Sequence, residues 1–124
     1  MAEVKREYYM TGELKEEWFE INGIKEGEYK TYHNNGQLFE ICNCVNGLKE
    51  GEFKGYHENG QLYDRCYFVN DKLNGEYKSY HENGQLFIIS NYVNGKLEGE
   101  YKRYHSDGQL NVIYNYVNGI KIKN

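Results

Sequence analysis

The chain has no proline and a single alanine in 124 residues. Without proline every residue can donate to a hydrogen-bond ladder, so no position is barred from a central strand. With almost no alanine the best helix former is missing, and the abundant Tyr, Asn and Gly are poor substitutes. Long apolar runs are absent too. Nothing approaches the roughly 20 residues of a membrane span, and Met1 to Tyr9 has neither the apolar stretch nor the cleavage pattern of a signal peptide. These absences predict a soluble, cytoplasmic protein. Three cysteines, an odd number, do not make a secreted disulfide framework. The net charge is −4 with both signs interspersed, and no cluster of Lys and Arg marks a phosphate-binding stripe, which argues against nucleic acid as a partner. Hydrophobic residues make up 39% even with 14 tyrosines included. A two-sheet sandwich needs a denser aliphatic interior, whereas one sheet layer manages with fewer apolar residues, so a single layer is expected.

What the chain does have is a period. Gly36-Gln37-Leu38 returns at Gly60-Gln61-Leu62, Gly84-Gln85-Leu86 and Gly108-Gln109-Leu110, at a spacing of 24 residues. A fixed period of this length marks an array of supersecondary units, none of which can bury its apolar side alone. The whole of 1–124 reads as one repeat domain with units at about 1–26 (partial), 27–50, 51–74, 75–98 and 99–122. Each unit carries two turn sites. One centres on Gly36, Gly60, Gly84 or Gly108; the other on Gly23, Gly47, Gly95 or Gly119, with Asn70-Asp71 in the third unit. Asn-Gly between Tyr, Val, Ile and Phe predicts a hairpin, because a type I′ turn needs positive φ at both central residues.

Two-residue loops at both turns would set Glu82 against Gln85 and Val93 against Lys96, bringing a residue beside the one 22 further on. The period of 24 leaves two residues over. Either a bulge at Gly27, Gly51, Gly75 and Gly99 absorbs them, or the stack shears by two residues per unit. Strand alternation then assigns the faces. One is expected to hold Tyr29, Phe53, Tyr77 and Tyr101, the histidines, the column from Leu14 to Leu110, and Cys44, Phe68, Tyr92 and Tyr116. The other holds the Glu28 and Lys30 columns, the Tyr32 column, and Val45, Val69, Val93 and Val117.

The run from Tyr92 to Leu110, with Tyr92-Val93-Asn94-Gly95-Lys96 and Gly99-Glu100-Tyr101-Lys102 followed by Tyr104-His105-Ser106-Asp107-Gly108, resembles the variant form of the MORN repeat. The resemblance extends from about Tyr8 to about Gly119. It implies an elongated, twisted, single-layer antiparallel sheet of stacked β-hairpins. Asp71 at a turn glycine, and Arg65 and Asn111 at usually apolar positions, depart from the pattern. Such repeats serve as interaction modules on kinases, methyltransferases and membrane-organising proteins; the stand-alone form occurs in giant viruses and in bacteria, where an antitoxin role is ascribed to it.

Chemistry is harder to find. His33, His57, His81 and His105 recur two strands apart, about 9.5 Å at a strand spacing of ~4.8 Å, whereas two imidazoles sharing a zinc ion each lie ~2.1 Å from it. A structural role follows, closing each strand and packing on the next unit's Leu. Cys42 and Cys66 are separated by the same two strands, beyond disulfide reach, so the thiols are expected free. The recurring Glu alternates with Lys in the manner of a solvated ion-pair face. No metal, cofactor or catalytic group is expected. The aromatics Tyr29, Phe53, Tyr77, Tyr101, Tyr92 and Tyr116 are the binding candidates, since a ladder of amphipathic rings is cheap in side-chain entropy. Trp18, which stands where later units have Cys42, is expected to cap the first unit. The sequence therefore points to a non-enzymatic protein-interaction or scaffold module, self-association through an open edge strand included. An antitoxin-like neutraliser of a partner enzyme and a phospholipid-surface binder are the alternatives, the charge opposing the last.

Overall fold

A computed structural model describes residues 2–123; Met1, the start of the first unit, and Asn124 lie outside the described residues. The strands are β1 (Ala2–Tyr8), β2 (Leu14–Ile21), β3 (Ile24–Lys25), β4 (Gly27–Tyr32), β5 (Leu38–Val45), β6 (Leu48–Lys49), β7 (Gly51–Tyr56), β8 (Leu62–Val69), β9 (Lys72–Leu73), β10 (Gly75–Tyr80), β11 (Leu86–Val93), β12 (Lys96–Leu97), β13 (Gly99–Tyr104), β14 (Leu110–Val117) and β15 (Ile120–Ile122). They form one open antiparallel sheet, ordered β1-β2-β4-β5-β7-β8-β10-β11-β13-β14-β15, with the two-residue strands β3, β6, β9 and β12 closing the hairpins. The expected single layer of stacked hairpins is what the chain forms.

The two turns of each unit differ. At Asn46-Gly47, Asn94-Gly95 and Asn118-Gly119 both residues have positive φ, as a type I′ turn requires, and Asn70 (49°) with Asp71 (71°) adopts the same shape without glycine. Val93 faces Lys96 as the two-residue loop dictates. The other turn is not type I′. His81 C=O accepts from Gly84 N–H at 2.9 Å and His81 N–H donates to Gln85 C=O at 2.8 Å, which encloses a loop of Glu82, Asn83 and Gly84. Only the glycine has positive φ (89°), as in a type I turn followed by a bulge. Glu82 therefore does not face Gln85.

A second irregularity follows immediately. Tyr80 pairs with Leu86 but Ser79 pairs with Ile88, so Phe87 is an extra residue on β11. This restores the register a two-residue loop would have given. It also turns Leu86 to the face of Tyr80, and the same holds for Leu38, Leu62 and Leu110 beside Tyr32, Tyr56 and Tyr104. The leucine column thus lies opposite the aromatic column, against the sequence expectation, because the bulge breaks the simple alternation.

The leftover two residues are absorbed by bulges and not by shear. Ser79 faces Ile88, and Ile88 faces Arg103, so a residue meets its equivalent 24 further on (103 − 79 = 24). The extra residues lie at the glycines of the short strands, where Gly27, Gly51, Gly75 and Gly99 all have positive φ and Glu98 N–H reaches Asn91 C=O at 2.9 Å.

Burial is one-sided. Thr31, Cys42, Cys44, Cys66, Ser79 and Ser90 are the buried residues with side chains, and all project to the face of Tyr29 and Tyr77. Small side chains at the middle of a lone sheet can be buried only if the sheet curls over them, which twist and repeated bulges promote. Among the described residues no large side chain is fully enclosed. Cohesion therefore rests on the ladder, on half-buried rings and on bonds from unit to unit.

Those bonds are regular. His33, His57 and His81 each donate Nε2–H to the backbone carbonyl of the next unit's Tyr56, Tyr80 or Tyr104, at 2.7–2.9 Å. Tyr9, at the histidine position of the first unit, makes the same bond to Tyr32 through its hydroxyl. Each histidine ring packs on the bulged aromatic of its own hairpin, Phe39, Tyr63 or Phe87, and not on the next unit's leucine as expected. Asn35, Asn59 and Asn83 add a further link, accepting from Gln37, Gln61 or Gln85 N–H and donating to a carbonyl of the next turn.

Candidate functional site

The aromatic face is built by alternation on the short strands and their long partners. Tyr29, Phe53, Tyr77 and Tyr101 come from β4, β7, β10 and β13; Phe68, Tyr92 and Tyr116 come from the far ends of β8, β11 and β14. All six binding candidates are half-buried on this one face. Tyr77 meets Tyr92 edge-on at 6.2 Å, Tyr101 meets Tyr116 likewise, and Phe53 meets Phe68 at 5.7 Å. Trp18 joins them, lying parallel to Tyr29 at 6.0 Å, so it extends the aromatic column as well as ending it.

Sequence reasoning missed two elements of this face. The first is a column of acids on the long strands, Glu16, Glu40 and Asp64, continued by Ile88 and Val112 at the same position. Tyr29 hydroxyl donates to Glu16, and that bond holds the carboxyl below its ordinary range while burial and the acid push the Tyr29 phenol up. Tyr77 hydroxyl donates to Asp64 at 3.2 Å. There burial wins, and the Asp64 carboxyl is raised. None of the three acids has a salt bridge among the described residues, whereas Glu28, Glu52, Glu76 and Glu100 on the other face each pair with the lysine two residues on. The spacing of 24 from Glu16 to Glu40 and Asp64 was the available signal.

The second element is a pair of lysines. Lys25 Nζ lies 4.6 Å from the Tyr29 ring centre and 5.2 Å from that of Trp18; Lys49 lies 5.4 Å from Phe53 and 5.1 Å from Phe68. Between them opens a cleft of about 250 Å³ walled by Tyr29, Phe53, Glu16 and Glu40, with Thr31 and Cys42 at its floor. Burial pushes the Cys42 thiol up to about 11 and that of Cys66 to about 12, so these thiols stay protonated and poorly nucleophilic. The three cysteines are unpaired. Among the described residues no group of three or more His, Cys, Asp or Glu could hold a metal ion.

The other face carries the Glu–Lys ladder and an aliphatic rail, Ile21, Val45, Val69, Val93 and Val117, each 40–52% exposed.

The chain belongs to the MORN repeat variant family, whose pattern matches residues 25–46, 49–70, 73–94 and 97–118. Arrays of this kind are modules generally linked to protein binding and are typically non-catalytic. No curated protein matches the chain. One solved structure, titled "Crystal structure of GtfA/B complex bound to UDP and GlcNAc", aligns with 93% of this chain and 24% of its own at 13% identity and a TM-score of 0.32. This chain spans about a quarter of that protein's length, and likeness at that level carries no functional weight. Among the described residues no helix is long and apolar enough to cross a membrane.

Proposed function

We propose that the protein is a non-enzymatic interaction module whose aromatic face receives a protein partner. The supporting observation is the convergence on one face of half-buried rings with Glu16, Glu40 and Asp64, carboxylates that form no salt bridge among the described residues. Aromatic anchors supply contact area at low entropic cost, and carboxylates beside them that accept from hydroxyls without a salt bridge among the described residues suit a partner segment that presents Arg or Lys side chains. Neutralisation of an enzyme, as an antitoxin or immunity protein would do it, is a narrower version of the same reading. The same acids favour it, because the site of an enzyme that handles nucleic acid is basic. A phospholipid surface finds less support, since Lys30, Lys54, Lys78 and Lys102 are each engaged by a neighbouring carboxylate.

The test compares partners captured from lysate of the producing cell. Tyr77→Ser with Tyr101→Ser should weaken a specific partner by about 1 to 3 kcal/mol per true anchor. Lys78→Ser with Lys102→Ser on the opposite face should change little, provided circular dichroism and melting show both variants folded. Loss with the lysine pair alone would place the contact on the charged face and overturn the reading.

A further inference from the structure

We propose that the cleft between Tyr29 and Phe53 binds a long zwitterion of the arginine type, its guanidinium at Glu16 and Glu40 and its carboxylate at Lys25 and Lys49. The cleft is acidic at one end, basic at the other and aromatic between. Glu16, Thr31 and Glu40 form one row across β2, β4 and β5. Glu16 accepts from the Tyr29 hydroxyl and Glu40 from the Thr31 hydroxyl at 3.4 Å, so both carboxylates lean over β4 from opposite sides. Glu7, which faces Glu16 from β1, adds a third carboxyl at that end. A guanidinium has donors on more than one edge and can meet two carboxylates at once, where an ammonium is a point charge. Its flat face also stacks on rings such as those of Tyr29 and Phe53.

The basic end is built by the hairpin tips. Cys44 pairs with Gly27 on one side and with Lys49 on the other, and Lys25 lies two residues before Gly27. Burial raises the Cys44 thiol, and Lys25 and Lys49 both pull against it, so two ammonium groups converge over one residue. Among the described residues neither lysine forms a salt bridge. The nearby acids hold other donors: Glu20, opposite Lys25, accepts from Trp18 Nε1–H at 2.8 Å, and Asp71 accepts from Lys49 backbone N–H at 3.2 Å. Two ammonium groups that lie over rings without an ion-pair partner are placed to receive a carboxylate.

Size and position narrow the ligand. Thr31 and Gly27 stand four residues apart on β4, about 13 Å at ~3.3 Å per residue. Side chains reach into that span from both ends, and a long amino acid joins them where glycine or alanine would meet one end only. The volume of about 250 Å³ lies just under the range of drug-sized pockets and suits one amino acid, not a folded segment. The arrangement also occurs once. One period beyond Lys49 stands Leu73, and one period beyond Asp64 stands Ile88 (49 + 24 = 73; 64 + 24 = 88), so no later unit has both charges. The hairpins stack equally well without them, which makes these side chains additions to the repeat and not requirements of it.

Free ligand binds without any partner, so this site and the recognition of a protein by the aromatic face are decided separately. The same chemistry has two sources, free arginine or the C-terminal arginine of another chain, and capping the α-amino group tells them apart.

Calorimetric titration of the whole chain at neutral pH tests it, with L-arginine and with N-acetyl-L-arginine, whose capped amino group imitates a chain terminus. At least one should bind saturably below about 10 mM. Tighter binding of the capped form points to a chain terminus, and any other order to the free amino acid. Agmatine, which lacks the carboxylate, and norvaline, which lacks the guanidinium, should each bind at least about tenfold more weakly, the loss of a charge-assisted contact. Lys25→Met with Lys49→Met should remove the preference over agmatine, and Glu16→Gln with Glu40→Gln the preference over norvaline, while Lys78→Met on the opposite face changes neither. Circular dichroism shows whether each variant is folded; where one is not, the ligand comparison on the unaltered chain decides. No saturable binding, agmatine or norvaline equal to arginine, or folded variants that keep the parent's preferences would overturn the proposal.

Discussion

Gly55 sits under Asp64. A Cβ built on this glycine lies 2.5 Å from Asp64 Oδ1, and the same position holds Thr31 and Ser79 in neighbouring units. Gly55→Ala should drive the carboxylate off the sheet and break the bond from Tyr77 hydroxyl, which measures 3.2 Å. A hydrogen bond to a charged group contributes about 1.5–3 kcal/mol. Two effects offset the loss: alanine gains about 0.5–1 kcal/mol over glycine within a strand, and the displaced carboxylate regains water. The net expectation is destabilisation of about 1–2 kcal/mol. With Asp64→Ala already in place there is nothing to displace, and Gly55→Ala should be neutral or stabilising by about 0.5–1 kcal/mol. The coupling between the positions is therefore about 1.5–3 kcal/mol, well above the ~0.5 kcal/mol within which independent sites add. Urea unfolding of all four proteins at neutral pH, with a common m-value, measures it. Equal costs of Gly55→Ala in both backgrounds would refute this account of the packing.

Three further outcomes follow from the same face. Because burial raises the Asp64 carboxyl, its contribution to stability is fully present below the ordinary Asp range and is lost as pH rises through the folded value; Asp64→Asn should therefore match or exceed the parent in stability at neutral pH, with the advantage fading as acid is added. Ser90 Oγ is buried without a hydrogen-bond partner among the described residues where earlier units have Cys42 and Cys66, and relieving such a group is worth about 1–3 kcal/mol, so Ser90→Cys should raise the melting temperature. Cys42, Cys44 and Cys66 should resist thiol reagents in the native protein and all react once it is unfolded without reductant, as mass spectrometry would record.

The strongest local patterns of the sequence were those whose residue chemistry has a single backbone solution. Asn46-Gly47 and its equivalents could only be type I′ turns, and the period anticipated the two main strands of each unit but not the separate two-residue strands β3, β6, β9 and β12. The other Asn-Gly site looked the same in sequence and was not, because a three-residue loop also places glycine at positive φ and differs only in the residue it admits before the turn. That one extra residue, followed by the bulge at Phe39, Tyr63 or Phe87, moved the leucines to the opposite face. On the aromatic face the rings were legible from alternation. The acids were not, since Glu16, Glu40 and Asp64 look like any surface charge until cross-strand partners such as Ser79 and Thr31 fix their direction. The histidine staples depend on a contact 23 residues away, which periodicity locates but local pattern does not.

Tyrosines on both faces allow the binding face to be read in one experiment. Tyr29, Tyr77, Tyr92, Tyr101 and Tyr116 project to the aromatic side, and Tyr32, Tyr56, Tyr80 and Tyr104 to the other. Hydroxyl-radical footprinting of the partner complex, compared with the free protein, should show protection of the first set with the second unchanged. Protection confined to Tyr32, Tyr56, Tyr80 and Tyr104, or spread equally over both sets, would contradict recognition by the aromatic face.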